Sequence, residues 1–211
     1  MICVSIGNPS QIPETIRFGA DLLEFRFDLM GEEPGKLFSM IPDQVQVIAT
    51  CRSGGLPDAR RKDLLKTSVD LGASYVDLEI ESSETYYREV AGYAAENGCR
   101  VIVSYHNFET TPDRDRLKTI LEKAYEMGAA VAKIATEVRS GEDVITLLSL
   151  YELPGRKVVI GMGPKGRIIR VAAPYLGSEF TFAASDSGQG TASGQLSLSQ
   201  LNEIYKIIGP F

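Results

Sequence analysis

The sequence predicts a single-domain α/β protein, a (β/α)8 TIM barrel, from two observations. Short apolar runs with β-strand character alternate with longer helical stretches about eight times along the chain, and this alternation favours a parallel sheet covered by helices. The 211 residues show no linker and no shift in composition, so residues 1–211 are expected to form one domain. Barrels of this class begin near ~200 residues.

An open doubly wound sheet is the alternative fold for such a pattern. That fold usually has fewer repeats and a glycine-rich phosphate-binding turn after its first strand. Here the first strand is followed by Gly7-Asn8-Pro9-Ser10, which lacks the glycine spacing of that turn. The barrel is therefore the preferred prediction.

Strands are predicted where short apolar or β-branched runs stand between turn signals. The third run is followed by Gly54-Gly55, and the seventh is preceded by Pro154-Gly155, so both have clear turns at their ends. The eight predicted strands comprise residues 2–6, 22–27, 45–50, 73–80, 100–104, 130–135, 157–160 and 180–183.

Helices are predicted from apolar residues spaced three and four apart and from end signals. Leu64, Leu65 and Val69 give the spacing in the third helix. Gly98 closes the fourth helix, and Thr111 opens the fifth at its N-cap, directly before a proline. The eight predicted helices comprise residues 9–19, 36–40, 60–71, 84–96, 111–127, 140–151, 167–176 and 197–208.

Composition argues against several classes of function. Hydrophobic residues make up 44% and charged residues 24% of the chain, which is ordinary for a globular protein. The net charge of -6 gives no general basic face for nucleic acid, although local basic clusters can bind an anionic substrate. No apolar run approaches the ~18 residues of a membrane span, and no signal peptide is evident. We therefore expect no membrane contact and a cytoplasmic location.

The cysteines indicate neither a disulfide framework nor a metal motif. Cys3, Cys51 and Cys99 are widely spaced and odd in number, which fits neither pattern. Cys3 and Cys99 are expected to be buried thiols. With one histidine in the chain and no cysteine cluster, no metal site is expected.

The most informative stretch is Val131-Ala132-Lys133-Ile134-Ala135, an apolar strand with a lysine at its centre. Lysine is rarely fully buried, because burial disfavours its charged form. A lysine that is neutral part of the time attacks carbonyl groups and forms a Schiff base. The only histidine, His106, follows the preceding strand, and histidine is the usual general acid and base near neutral pH.

Polar side chains also occur at the C-terminal ends of other predicted strands, where barrel enzymes hold their active sites. Alternation places Glu24 and Arg26 on one face of the second strand, and Asp77 and Glu79 on one face of the fourth. Any single pair also fits a structural salt bridge or a solvated rim, but the pattern over six strands favours a site. Arginines from the second and third strands are expected to keep the Lys133 amine deprotonated.

These residues resemble the type I 3-dehydroquinate dehydratases, and the resemblance covers nearly the whole chain. Its most specific part is Ser104-Tyr105-His106-Asn107-Phe108-Glu109-Thr110-Thr111-Pro112, followed by Lys133-Ile134-Ala135. The other matching segments are Glu24-Phe25-Arg26-Phe27-Asp28, Thr50-Cys51-Arg52, Asp77-Leu78-Glu79, Gly161-Met162-Gly163 with Arg170, and Ala192-Ser193-Gly194-Gln195.

The resemblance implies a (β/α)8 barrel, typically a homodimer, that needs neither a metal nor a diffusible cofactor. Such enzymes convert 3-dehydroquinate to 3-dehydroshikimate by syn elimination of water, a step of the shikimate pathway in aromatic amino acid biosynthesis. Lys133 would form an imine with the C3 ketone, and this electron sink would acidify the C2 hydrogen. His106 would take that hydrogen as general base and then protonate the leaving C1 hydroxyl.

The resemblance also implies roles for the surrounding residues. Arg170 would pair with the substrate carboxylate, and Met162 would pack against the ring. Gln195, with the loop that contains Thr191, would close over the substrate. The substrate hydroxyls would be held by Glu24, Arg26 and Arg52, with Asp77 and Glu79 behind them as supporting residues.

One departure from the family concerns the loop after the third strand. Many members carry a glutamate just before a Gly-Gly pair, whereas here Arg52-Ser53-Gly54-Gly55 is shortened and a serine stands there. If that glutamate positions His106, its role would fall to Asp77, Glu79 or a water.

Two other functions fit the same pattern. A Schiff-base aldolase also uses a lysine on the sixth strand, and it needs a phosphate site in the loops after strands seven and eight, where Gly161-Met162-Gly163-Pro164-Lys165-Gly166 is rich in glycine. An aldolase would release two carbonyl fragments, whereas a dehydratase gives one conjugated enone. A barrel that only binds a cyclic acid or an assembly partner is the non-enzymatic alternative, and it predicts that Lys133→Ala changes nothing.

Overall fold

The structure is a computed structural model that describes residues 1–187 and 190–209. Parts of the predicted 185–195 loop and of the end of the chain therefore lie outside the described residues. Within the described ranges, no helix is long and apolar enough to cross a membrane.

In the described part of the chain, eight parallel strands form one sheet that curls into a nearly closed barrel. The strands are β1 (Ile2–Ile6), β2 (Leu22–Arg26), β3 (Gln46–Thr50), β4 (Tyr75–Glu79), β5 (Arg100–Asn107), β6 (Val131–Glu137), β7 (Lys157–Met162) and β8 (Thr181–Ala184). Their hydrogen-bonded order is β7-β6-β5-β4-β3-β2-β1-β8. The two outermost strands lie side by side, and the amide of Glu179 donates to the carbonyl of Lys157 over 3.0 Å. The predicted fold class is confirmed.

Helices connect successive strands and cover the outside of the barrel. They are α1 (Ile12–Arg17), α2 (Phe27–Met30), α3 (Pro34–Phe38), α4 (Asp58–Asp70), α5 (Glu84–Glu96), α6 (Arg114–Glu126), α7 (Gly141–Ser149), α8 (Arg167–Ala172) and α9 (Leu198–Ile208). The helix predicted over residues 36–40 begins earlier, because Pro34 supplies the first turn of α3. The short helix α2 is not predicted, and Phe27, predicted as strand, belongs to it.

In the first six strands, the side chains that face the interior of the barrel change from apolar to polar between one inward-facing position and the next, toward the C-terminal end. The lower positions, nearer the N-terminal ends, are buried and mainly apolar: Cys3, Leu22, Ile48, Tyr75, Ile102 and Val131. Two residues further along, each strand carries a buried polar side chain: Ser5, Glu24, Thr50, Asp77, Ser104 and Lys133. Because side chains alternate along a strand, both sets face the barrel axis.

Strands β5 and β6 run further than predicted, and this extension carries part of the polar end. Their parallel register pairs His106 with Ala135 and Asn107 with Thr136. The prediction that the fifth strand stops at residue 104 is therefore wrong. The added hydrogen bonds to β6 fix the backbone of His106 within the sheet instead of leaving it in a loop.

Candidate active site

Lys133 lies at the polar level of the barrel, on β6. Its neighbours Ala132 and Ile134 pack into the apolar cluster between sheet and helices, so alternation turns Lys133 inward. Only 4% of the residue is exposed, and Nζ lies 4.3 Å from the centre of the Phe182 ring. The sequence therefore correctly predicts a buried lysine in this strand.

Two carboxylates, not arginines, are the direct partners of the Lys133 ammonium group. Nζ donates to Oδ2 of Asp77 over 2.9 Å and to Oε1 of Glu24 over 3.2 Å. Arg26 and Arg52 line the same cavity as Lys133, and their effect on the protonation of the Lys133 amine stays a prediction.

Asp77 joins Lys133 to Arg52. Nη1 and Nη2 of Arg52 donate to the two oxygens of Asp77 over 2.9 Å each, in the bidentate geometry that suits a guanidinium. Ser104 Oγ donates to Oδ1 over 2.6 Å. Burial alone raises the pKa of Asp77, but Arg52 and Lys133 outweigh burial and hold the pKa well below its usual range. Asp77 is therefore a fixed negative charge below the mouth of the barrel.

Glu24 is the second buried carboxylate at this level. It accepts a hydrogen bond of 2.5 Å from Ser5 Oγ and one of 3.2 Å from Thr50 Oγ1, in addition to that from Lys133. Burial raises the pKa of Glu24, yet nearby cations, first among them Lys133, lower it below its ordinary value. Both buried acids are thus ionised.

Two arginines occupy the wall above these acids. Arg26 follows Glu24 by two residues on β2, and Asp28 holds its guanidinium through hydrogen bonds of 3.0 and 2.6 Å. Arg52 follows β3 and is held by Asp77. Each guanidinium is therefore fixed by its own carboxylate and keeps part of its edge toward the cavity.

His106 faces the same cavity from β5. Its ring stacks on Phe108, with ring centroids 6.0 Å apart and an interplanar angle of 14°. Burial, together with the positive charges of Arg52 and Lys133, lowers the pKa of His106 well below its ordinary value, and Asp77 opposes this shift only in part. The imidazole is therefore neutral near pH 7 and able to accept a proton.

The His106 ring makes no hydrogen bond to any described residue. Asp77, one predicted substitute for the missing glutamate, is engaged by Arg52 and Lys133. Glu79, the other, accepts from the amide and hydroxyl of Ser53 over 2.9 and 3.3 Å. Neither acid makes a hydrogen bond to His106, and Glu79 supports the loop after Arg52 instead. A water that positions His106 stays a prediction.

Arg170, on α8, is a buried guanidinium that has no counter-ion among the described residues. It is 1% exposed. Nη1 donates to the carbonyl of Phe182 over 3.3 Å, and Nε has no partner. Burial lowers the pKa of Arg170 to about 10. Because a buried charge is costly unless it is paired, this group indicates a negatively charged ligand.

Glycines bring α8 close to β7 and so place Arg170. Gly166 stands just before α8 with its Cα against the main chain of Gly161 on β7, and a Cβ at Gly166 would collide with that backbone. Met162, next to Gly161, is buried and lines the cavity. The glycine-rich segment thus serves close packing, while Lys165 turns away and donates to the carbonyl of Arg139 over 2.7 Å.

The described part of the loop after β8 lines the cavity as well. Thr191 Oγ1 donates to Ser5 Oγ over 2.8 Å, and the Gln195 amide donates to Thr191 Oγ1 over 3.3 Å. Since Ser5 in turn donates to Glu24, a chain of hydrogen bonds connects the loop with the buried acids.

One cavity lies at the C-terminal ends of the strands, where barrel enzymes hold their active sites. The structure brings together there every residue predicted to be catalytic or substrate-binding: Lys133, His106, Glu24, Arg26, Arg52, Arg170, Thr191, Gln195 and Met162. Asp77 and Glu79 are not part of this lining: Asp77 binds Arg52, and Glu79 accepts from the amide of Ser53.

Sequence reasoning missed part of the cavity wall, which is mostly apolar: Phe108, Ala135, Ile160, Phe182 and Ala192. Ala135 lies two residues after Lys133, and Ile160 lies two before Met162, so strand alternation identifies both once the strand ends are known. Phe108 carries no such signal, because it follows the last residue of β5.

Among the described residues, no group of three or more His, Cys, Asp or Glu side chains is placed to hold a metal ion. Cys3, Cys51 and Cys99 are buried free thiols, which confirms the prediction for Cys3 and Cys99. Burial raises the pKa of Cys51 and of Cys99 to about 11, so both thiols are protonated near neutral pH.

Comparison with known proteins identifies the family. The family model for type I 3-dehydroquinase matches residues 3–211. The 3-dehydroquinate dehydratase of Methanocaldococcus jannaschii is 35% identical over 197 residues, 90% of this chain and 88% of that protein. The solved 3-dehydroquinate dehydratase of Geobacillus kaustophilus HTA426 has a TM-score of 0.88 at 27% identity, covering 98% of this chain and 90% of its own. The type I enzyme of Clostridium difficile, solved with covalent modified comenic acid, has a TM-score of 0.86 at 26% identity, covering 98% and 91%. With this agreement along its whole length, the chain belongs to the type I 3-dehydroquinase family.

Proposed function

We propose that this chain dehydrates 3-dehydroquinate to 3-dehydroshikimate, a step of the shikimate pathway, through a Schiff base on Lys133. The observation that carries the proposal is that a buried lysine, and a buried arginine without a counter-ion among the described residues, lie on the wall of one cavity. Family membership supports the dehydratase over the aldolase and over a barrel that only binds. The lysine suits the ketone of the substrate, and the arginine suits its carboxylate.

Arg170 would bind the substrate carboxylate. A planar guanidinium matches the two oxygens of a carboxylate, and the pairing would neutralise a cation whose burial is otherwise uncompensated. Nε, which has no partner among the described residues, is available for one of the two hydrogen bonds. This contact would fix one end of the substrate ring.

The C3 ketone would then face Lys133. The ammonium passes its proton to a base in the cavity, and the free amine attacks the ketone to give a carbinolamine. The protonated base then returns the proton to the carbinolamine hydroxyl, which leaves as water and gives the protonated imine. The iminium carries the same positive charge as the ammonium, so Asp77 and Glu24 pair with that charge before and after the step. The two carboxylates would therefore stabilise the intermediate without rearranging.

His106 would move the proton of the elimination. The iminium withdraws electrons from the C2–H bond, and the imidazole accepts the proton because its lowered pKa keeps it neutral near pH 7. The imidazolium then returns the proton to the C1 hydroxyl, which leaves as water while the C1–C2 double bond forms. Water hydrolyses the imine, releasing the product and the Lys133 amine.

The remaining residues on the cavity would orient the substrate. Thr191 and Gln195 would cover it from the loop after β8, and Met162 would pack against the ring. The substrate hydroxyls would be held by three charged side chains that the barrel fixes in place: Glu24, Arg26 and Arg52.

Borohydride reduction in the presence of 3-dehydroquinate tests the covalent step. Reduction turns an imine into a stable amine, so peptide mapping is expected to find the adduct on Lys133. Lys157 is the matched control, because it is also buried but its Nζ donates to the carbonyls of Leu153 and Gly155 at the opposite end of the barrel. An adduct on Lys157, or no adduct, would refute the role of Lys133.

Turnover of two variants, measured by the ultraviolet absorption of the enone product, tests whether Lys133 forms the imine and His106 transfers the proton. Lys133→Ala should be inactive. His106→Ala should still form the reducible imine, while its turnover falls by at least ~10²-fold. Turnover close to that of the wild type would remove His106 from the mechanism.

We further propose that the enzyme is a homodimer and lies in the cytoplasm. The support for a dimer is the exposed apolar pair at the end of α9: Ile207 is 85% exposed, and Ile208 next to it is exposed as well. Adjacent apolar side chains on a surface favour contact with another protein surface. Light scattering should find a dimer for the wild type and a monomer for Ile207→Glu, and a monomeric wild type would contradict the proposal. Cell fractionation tests the location.

A further inference from the structure

Arg61 on α4 is a buried arginine that the reaction does not use. It is 5% exposed, and its guanidinium donates in three directions. Nε and Nη2 donate to the carbonyl of Cys51 over 3.1 and 3.0 Å. Nη2 also donates to Oε2 of Glu79 over 3.1 Å, and Nη1 donates to Oδ1 of Asp58 over 2.9 Å. One side chain thus joins α4 to the ends of β3 and β4.

The main chain on both sides of Arg52 is bound by charged side chains. Arg61 holds the carbonyl of the preceding residue, and Glu79 accepts from the amide of Ser53, the following residue, over 2.9 Å. The residues on either side of Arg52 are therefore each held through a main-chain polar group.

The side chain of Arg52 depends on that backbone. Its guanidinium binds both oxygens of Asp77 over 2.9 Å and also donates to Ser104 Oγ over 2.8 Å. A bidentate pair requires the correct plane as well as the correct distance. A shift of the backbone at residues 51–53 would tilt the guanidinium and move the edge that faces the cavity.

Stability of the fold explains Arg61 poorly. Desolvation offsets most of the attraction in a buried ion pair. Arg61 also lies in the first turn of α4, where the helix dipole disfavours a cation. The ring of Tyr86 on α5 lies 4.6 Å from Cζ and packs against the guanidinium from the neighbouring helix. The contacts of Arg61 restrict the position of its guanidinium next to the loop that carries Arg52. Such a fixed group suits a role in orienting Arg52.

We propose that Arg61 and Glu79 form a clamp that positions Arg52 for substrate binding. The inference rests on the proposed function, because Arg52 is there assigned to the substrate hydroxyls. Both residues of the clamp are positioning residues: Arg61 binds the carbonyl before Arg52, Glu79 binds the amide after it, and neither lines the cavity.

Steady-state kinetics with 3-dehydroquinate test the clamp. Arg61→Met and Glu79→Gln should each raise KM, Arg61→Met by roughly tenfold, with a smaller change in kcat. Arg60→Met is the matched control, because Arg60 precedes Arg61 on the same helix but pairs with Glu33 at the surface; its KM should equal that of the wild type. Borohydride should still trap Lys133 in every variant.

A double-variant comparison separates positioning from a general structural role. If the clamp acts through Arg52, Arg61→Met added to Arg52→Met should cause no further loss of kcat/KM, since contacts in one network are not additive. Additive losses would overturn the proposal, as would a wild-type KM in both Arg61→Met and Glu79→Gln. Glu79→Gln keeps the test open if Arg61→Met does not fold. If only the clamp proposal is wrong, the wild-type enzyme still converts 3-dehydroquinate. A wild-type enzyme that does not convert 3-dehydroquinate refutes the proposed function itself.

Discussion

The ammonium nitrogen of Lys133 lies 2.9 Å from Oδ2 of Asp77, and both residues are almost completely buried. The same carboxylate binds Arg52 through both oxygens, so one negative charge faces two positive ones. Removing one partner of a buried pair leaves the other charge uncompensated. The pair therefore couples the stability of the barrel to the position of the reactive amine.

Asp77→Asn is expected to reduce the free energy of unfolding by about 3–5 kcal/mol, because it leaves Lys133 and Arg52 without their shared counter-ion. Urea denaturation of the wild type and the variant measures the change. Asp63→Asn, an exposed position on α4, is the control and should change the stability by less than about 0.5 kcal/mol. Equal stability of Asp77→Asn and wild type would contradict the coupling.

Arg170→Met is expected to stabilise the protein while it impairs the reaction. The variant removes a buried guanidinium that has no counter-ion among the described residues, so its melting temperature should rise. Loss of two charged hydrogen bonds to a carboxylate should lower kcat/KM by roughly 100-fold. Arg167→Met, exposed on the same helix, serves as control. A less stable variant with unchanged kcat/KM would show that Arg170 is structural.

His106 is expected to make the protein less stable toward acid pH. Its folded-state pKa lies well below 6.5, so below pH 6.5 the unfolded chain binds a proton that the folded chain does not. The stabilisation is therefore fully present above the unfolded value and is lost as pH falls toward the folded one. Urea midpoints of wild type and His106→Asn, compared from about pH 7 to about pH 5, should diverge, with the wild type losing more stability. Parallel curves would contradict the lowered pKa.

Thr191→Val tests the chain of hydrogen bonds from the loop after β8 to the buried acids. The variant keeps the shape of the side chain but removes the donor to Ser5, so KM should rise by up to about tenfold. Thr191→Ser retains the hydroxyl and should behave as the wild type. If Thr191→Val has a normal KM, the loop does not act through Ser5.

The strands and most of the cavity lining could be predicted because strand side chains alternate with a period of two. Lys133, Glu24 and Asp77 lie inside the barrel for that reason. Alternation gives a direction but not a partner: it does not say which cation each acid binds. Alternation therefore does not show that Arg52 and Lys133 share the carboxylate of Asp77.

Arg61 could not be predicted, because the helix pattern around it gives no sign of burial. It stands in the charged run Asp58-Ala59-Arg60-Arg61-Lys62-Asp63, where each side chain suits a solvated face. Only the packing of α4 against the loop after β3 and against Tyr86 buries this one arginine. Phe108, whose ring stacks on His106, could not be predicted either, because it lies beyond the end of the regular strand.

The change from an apolar to a polar interior along the first six strands separates the residues that set thermal stability from those that set turnover, so that protein engineering can vary one without the other. Ile48, Ile102 and Val131 form part of a buried apolar floor and do not themselves line the cavity. In barrels of this class the N-terminal end serves stability and the C-terminal end serves chemistry. Variants with substitutions confined to the floor are therefore expected to change thermal stability and leave turnover constant. Substitutions at the polar level, two residues further along each strand, would change thermal stability and turnover together.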